Sequence, residues 1–148
     1  MAADTFNGPP HVIVRSSGAG FPQEIEIGPH RLKGDEPVAF GGTDTGPSPY
    51  DFLLAALGTC TSITISLYAR RKGWPLENVT VSLHQSKIHA ADCADCETKV
   101  GKIDRIELEV QLIGTLTTEQ RAKLMEIASL CPVHRTLTSE IDIRTHAV

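Results

Sequence analysis

The chain has 148 residues, 41% of them hydrophobic and 22% charged, with a net charge of -4. That describes one domain large enough to bury a core, and the low charge without a basic cluster beyond Arg70, Arg71 and Lys72 argues against nucleic acid. The opening stretch MAADTFNGPP has neither a positive nor an apolar region, so no secretory signal is expected and the cytoplasm is the expected location.

Residues 1–10 carry two prolines and no apolar period, which predicts a loose terminus to a single domain over 1–148. Residues 11–15 (HVIVR) are short and β-branched, a first strand. SSGAG at 16–20 turns the chain, and EIEI at 24–27 alternates as a second strand, with a third short one over 30–33. Residues 34–47 hold four glycines and two prolines, a loop long enough to line a site.

The next stretch, SPYDFLLAALGTCTSITISLYARRKGW, dominates the chain. Ser48 reads as an N-cap, Pro49 as the first helical residue and Asp51 as the acid that closes a capping box. Arg70, Arg71 and Lys72 suit a helix C-terminus, and Gly73 suits its end. A helix over 49–73 would be about 37 Å long, comparable with a whole domain of this size. From Phe52 to Ala69 it has no charged side chain, so it must be covered on nearly every face. One short chain cannot do that, and a partner subunit is expected. The hydroxyls of Thr59, Thr61, Ser62, Thr64 and Ser66 make the stretch too polar for lipid, so a buried helix of a soluble protein is expected rather than a membrane span.

After the helix, residues 79–83 alternate as a strand that Ile88 extends, and residues 90–97 (AADCADCE) form a polar loop. Residues 103–113 alternate again, apolar at Ile106, Leu108, Val110 and Leu112 and polar at Glu107, Glu109 and Gln111. This pattern suits an antiparallel sheet wet on one side. Thr117 and Gln120 form a second capping box, opening a helix to about Leu130. Pro132 starts another short helix, and residues 140–145 (EIDIRT) alternate as a last strand. The order predicts an α+β fold.

Four cysteines in a cytoplasmic chain point to redox chemistry, metal or packing before a disulfide framework. Cys60 has Ala56, Leu57, Ile63 and Thr64 as helical neighbours, a packing environment that needs a cationic or hydrogen-bonding partner before the thiol reacts. Cys131 precedes Pro132 at a helix start, where free N–H groups stabilise a thiolate, and His134 follows one turn on. For each taken singly, inert packing and reactivity both stay open. Cys93 and Cys96 form a CxxC with His89 near, supplying three of the four ligands a zinc site needs, while Asp92 and Asp95 disfavour thiolates. An ordinary exposed loop, a metal clasp and a redox relay are the three readings. Trp74 reads as a packing anchor.

The run GGTDTGPSPYDFLLAALGTC together with CPVHRTL resembles the OsmC/Ohr family of thiol-dependent peroxidases, over about residues 11 to 146 and in element order. The resemblance implies an OsmC-like fold, antiparallel sheets around a long central helix, in an intertwined homodimer with sites between subunits. It implies that Cys60 reacts with an organic hydroperoxide or hydrogen peroxide to give a sulfenic acid, which Cys131 condenses into a disulfide. A small thiol or dithiol would be the reductant, with no cofactor and no metal. Family members activate the thiol with an arginine from an early loop and a glutamate ten residues before the helix cysteine. Arg15 is the candidate for the first, with Arg31 beside it; at the second position stands Tyr50, and the nearest acid is Asp51. The alternative is a non-catalytic OsmC-like dimer that binds an apolar small molecule or metal between subunits.

Overall fold

The computed structural model describes residues 11–148; the loose terminus expected over 1–10 lies outside the described residues. The chain divides into two compact units, one ending at Leu53 and the other covering Leu54–Val148.

The first unit contains an antiparallel meander of β1 (Val12–Ser16), β2 (Gln23–Ile27) and β3 (His30–Gly34). Val14 stands opposite Ile25 and Ile25 opposite Leu32, so the alternation read from the sequence sets the register. Gly28 takes the positive φ (54°) that a two-residue hairpin asks of its first turn residue. The loop after β3 is built around Asp35, only 3% exposed. One carboxylate oxygen accepts from the Glu36 amide (2.8 Å). The other accepts from the amides and hydroxyls of Thr43 (3.1 and 2.6 Å) and Thr45 (3.1 and 2.9 Å). A glycine-rich stretch thereby gains a fixed path, with one 3-10 turn at Val38–Phe40.

Helix α1 runs Pro49–Lys72. Its capping box forms as expected: the Asp51 amide donates to Ser48 Oγ at 3.3 Å, and the Ser48 amide donates to Asp51 Oδ2 at 2.8 Å. At the other end Gly73 adopts φ 64°, its amide bonding to the Arg70 carbonyl and that of Trp74 to the Ala69 carbonyl. That paired closure ends a helix with a left-handed residue, as Gly permits.

In the second unit, β4 (Leu76–His89) and β5 (Lys102–Gly114) form one long antiparallel hairpin, with Val81 opposite Val110 and Leu83 opposite Leu108. Its apolar side meets α1. Ile65, Ala69 and Leu124 are the buried centre, flanked by Trp74, Leu76, Val79, Val110 and Leu112. Fully burying Ile65 or Leu124 contributes about 1.5–3 kcal/mol each. Gly58 lets the helix approach the hairpin, since a Cβ there would lie 2.6 Å from a Leu83 methyl. Trp74 meets the Tyr68 ring edge-on at 5.5 Å between centroids. Helix α2 (Thr118–Ala128) opens with the Thr117/Gln120 capping box and stops two residues before the expected Leu130; α3 is Pro132–Leu137. Arg121 ties α2 to the end of β5 through the Leu112 and Gly114 carbonyls (2.7 and 2.9 Å).

Two expectations need correction. Residues 140–145 do not form a strand, although they alternate; Ile141 and Ile143 are 50% and 82% exposed. Alternation qualifies a segment to pair, but a strand exists only with a ladder beside it, and β4 and β5 are paired with each other. The 90–97 loop is also not an ordinary loop: Cys93 and Cys96 are joined in a disulfide.

Candidate functional site

Cys60 lies in the middle of α1, half-buried and free. Its carbonyl accepts a bond from Thr64 Oγ1 at 2.8 Å, the back-bonding expected of hydroxyls in this helix. Cys131 is free and fully buried. Pro132 holds it in an extended conformation (φ -64°, ψ 145°), which makes it the N-cap of α3. In that position its sulfur does the work usually given to a serine oxygen, accepting from the His134 amide at 3.2 Å.

A second group reaches the same sulfur. Thr61, itself fully buried, places Oγ1 3.6 Å from Cys131 Sγ. Thr61 follows Cys60 directly, so the segment before α3 is seated on the turn of α1 that carries Cys60. An amide N–H and a hydroxyl oxygen therefore converge on one buried sulfur and fix its position beside the Cys60 turn. Thr61 was not singled out from the sequence beyond its polarity; the signal available was a hydroxyl beside a cysteine in a run otherwise suited to core.

The other two candidates lie in the first unit. Arg15 pairs with Glu26 at 2.7 Å, and the Arg31 guanidinium lies 3.8 Å from the same carboxylate oxygen. Both arginines considered for activation thus meet at Glu26, which the sequence reading passed over as the polar half of a strand alternation. Exposure of about half of each arginine side chain makes these pairs weak and exchangeable. Asp51 is held by Ser48, whose hydroxyl and amide donate to it and draw its carboxyl below the usual range. Its geometry is that of a helix cap.

The first unit also holds an apolar groove of about 570 Å³, lined on the sheet by Val12, Val14, Ile25 and Ile27 and elsewhere by Phe21 and Phe52. Among the described residues, no cluster of three or more His, Cys, Asp or Glu side chains is arranged to hold a metal ion.

With this geometry in hand, known proteins can be compared. A search of curated protein sequences returns no match. Solved structures share the fold at low identity. A Psychrobacter arcticus 273-4 protein assigned to osmotic stress induction and detoxification response superposes with a TM-score of 0.70 at 19% identity, covering 88% of this chain and 90% of that one. An OsmC-like protein from Mycoplasma pneumoniae gives 0.66 at 17%, covering 88% of each chain. The organic hydroperoxide resistance protein OsmC from Legionella pneumophila gives 0.62 at 19%, covering 88% and 90%. These likenesses establish the fold. The family model described as OsmC-like protein matches residues 42–146, a span from the glycine-rich loop through α1, the hairpin and the Cys131 segment. The chain belongs to the OsmC-like family.

Proposed function

We propose that the protein is a thiol-dependent peroxidase of oxidative-stress defence, a single OsmC-like domain acting as a cytoplasmic homodimer. The observation that carries the reading is the seating of Cys131 Sγ on Thr61, one residue from Cys60. Hydroperoxide resistance in the Legionella relative supplies the substrate class, organic hydroperoxides or hydrogen peroxide. Cys60 as thiolate attacks the outer peroxide oxygen; the O–O bond breaks, the alcohol or water departs with a proton, and Cys60 becomes a sulfenic acid. Cys131 then attacks that sulfur, water leaves, and a disulfide forms. A small thiol or dithiol returns both sulfurs to thiols by two exchanges. Arg15 is the cation proposed to steady the Cys60 thiolate, releasing Glu26 to do so, and Asp51 holds the start of α1.

The test treats Cys60→Ser and Cys131→Ser separately with one equivalent of peroxide, then with a sulfenic-acid reagent. The expected result is no turnover in Cys60→Ser, and label on Cys60 in Cys131→Ser, followed by over-oxidation with excess peroxide. Label on Cys131 alone would reverse the roles. No label in either variant would favour the second reading, a non-catalytic dimer that binds an apolar small molecule, which the groove of about 570 Å³ supports.

A further inference from the structure

The Cys93–Cys96 disulfide stands at the tip of the β4–β5 hairpin, and the tip is held in place without it. The Ala90 amide donates to the Gly101 carbonyl at 2.8 Å, and the Cys93 amide to the Ala90 carbonyl at 3.2 Å. Ala90 is fully buried, and the ladder continues to His89 opposite Lys102. The Lys99 ammonium clasps the Cys93 and Ala94 carbonyls at 3.2 and 3.0 Å. A bridge between residues three apart closes a very short loop and removes little chain entropy, so it is a weak staple for a turn already fixed. Both cysteines are partly exposed. The loop around them carries Asp92, Asp95 and Glu97 against the single cation Lys99.

From these features we infer that Cys93–Cys96 is a thiol–disulfide exchange site that takes electrons from a cationic or neutral thiol reductant in preference to an anionic one. The inference goes beyond the Cys60/Cys131 reading and stands without it. The reductant's thiolate attacks one cysteine sulfur; the S–S bond breaks and its electron pair goes to the other sulfur, which takes a proton from water. A second reductant thiol, or the other thiol of a dithiol, attacks the mixed disulfide. It leaves as the oxidised reductant, and both cysteines are then thiols. The acidic loop does two things to this sequence. It disfavours the departing thiolate, which keeps the resting pair oxidised, and it repels anionic attackers within a Debye length.

The experiment exposes the whole protein to cysteamine, 2-mercaptoethanol and mercaptoethanesulfonate at equal thiolate concentration. Alkylation and peptide mass spectrometry follow Cys93 and Cys96, while circular dichroism follows the fold. The bridge is expected to open with an unchanged spectrum, roughly threefold or more faster with the cation than with the anion, and to re-form when the thiol is replaced by its own oxidised disulfide, which takes the two electrons back. That order should vanish at about 1 M salt and narrow in Asp95→Asn/Glu97→Gln. A bridge that opens only as the spectrum collapses would overturn the inference in favour of a structural staple, as would loss of fold in Cys93→Ser/Cys96→Ser. Equal rates for the three thiols would overturn the charge selection.

Discussion

Asp35 organises more backbone than any other single side chain described in the first unit. Its hydrogen bonds, that of the Thr43 hydroxyl above all, hold its carboxyl far below the ordinary 3.8, against the opposing effect of desolvation. Because its proton affinity is lowered by folding, this group contributes stability that is present above the unfolded value and is lost as pH falls through the much lower folded value. Asp35→Asn should therefore lower the melting temperature at neutral pH, and the gap from the parent should narrow progressively once pH falls below the unfolded value of 3.8, closing only in strong acid. A gap that is constant from neutral pH down to strong acid would show that the charge is not what matters. The sequence displayed Asp35 only as one polar residue in a glycine-rich stretch, because the threonines that bond it are eight and ten residues away. Cys131 was more legible: Pro132 fixes its backbone, so its capping position follows from local chemistry. Its contact with Thr61 did not, since the two are 70 residues apart.

At the scale of elements, capping chemistry reads well because it is local. Thr117 and Gln120 satisfy each other's backbone amides at 3.0 and 3.1 Å. Thr117→Ala should cost about 1 kcal/mol, visible as a lower urea midpoint with an unchanged slope. A changed slope would mean that more than the first turn of α2 had altered. The hairpin was legible from its alternation, but β4 proved longer than residues 79–83: its ladder with β5 runs from Leu76 to His89, past a register shift between Leu76 and Asn78, although Leu76 and Ile88 fall out of phase with Val79, Val81 and Leu83. Residues 140–145 show the limit of that reasoning. Their pattern is that of a strand, yet pairing is a property of two segments, and no pattern within one of them names the other. The Cys93–Cys96 bond lies beyond pattern for a related reason: the spacing of CxxC allows an ordinary loop, a metal or a bridge alike.

For the whole molecule, the covering of α1 decides the assembly. Only Leu57, Gly58, Thr61, Ile65 and Ala69 of its 24 residues are buried, while Ile63 and Leu67 are 53% and 43% exposed. A helix uncharged from Phe52 to Ala69 with that much open apolar surface fits the proposed homodimer, which should bury well over about 2,000 Å². Sedimentation is expected to give a dimer at micromolar concentration for the parent and a shift to monomer for Ile63→Lys/Leu67→Lys. A folded parent monomer under those conditions would remove the dimer from the account.

The place of α1 in the chain has a consequence for how the protein is made. Its buried residues rest on β4, β5 and α2, all of which lie later in the sequence. A ribosome that has finished Lys72 must still add the 42 residues to Gly114 before the hairpin can close over the helix. At about 5–20 residues per second that interval is roughly 2–8 s. Throughout it the nascent chain presents a segment long and apolar enough, by length and composition, to cross a membrane. The hydroxyls of Thr59, Thr61, Ser62, Thr64 and Ser66 lower the cost of that wait, because each can hydrogen-bond to water until the hairpin closes over the helix.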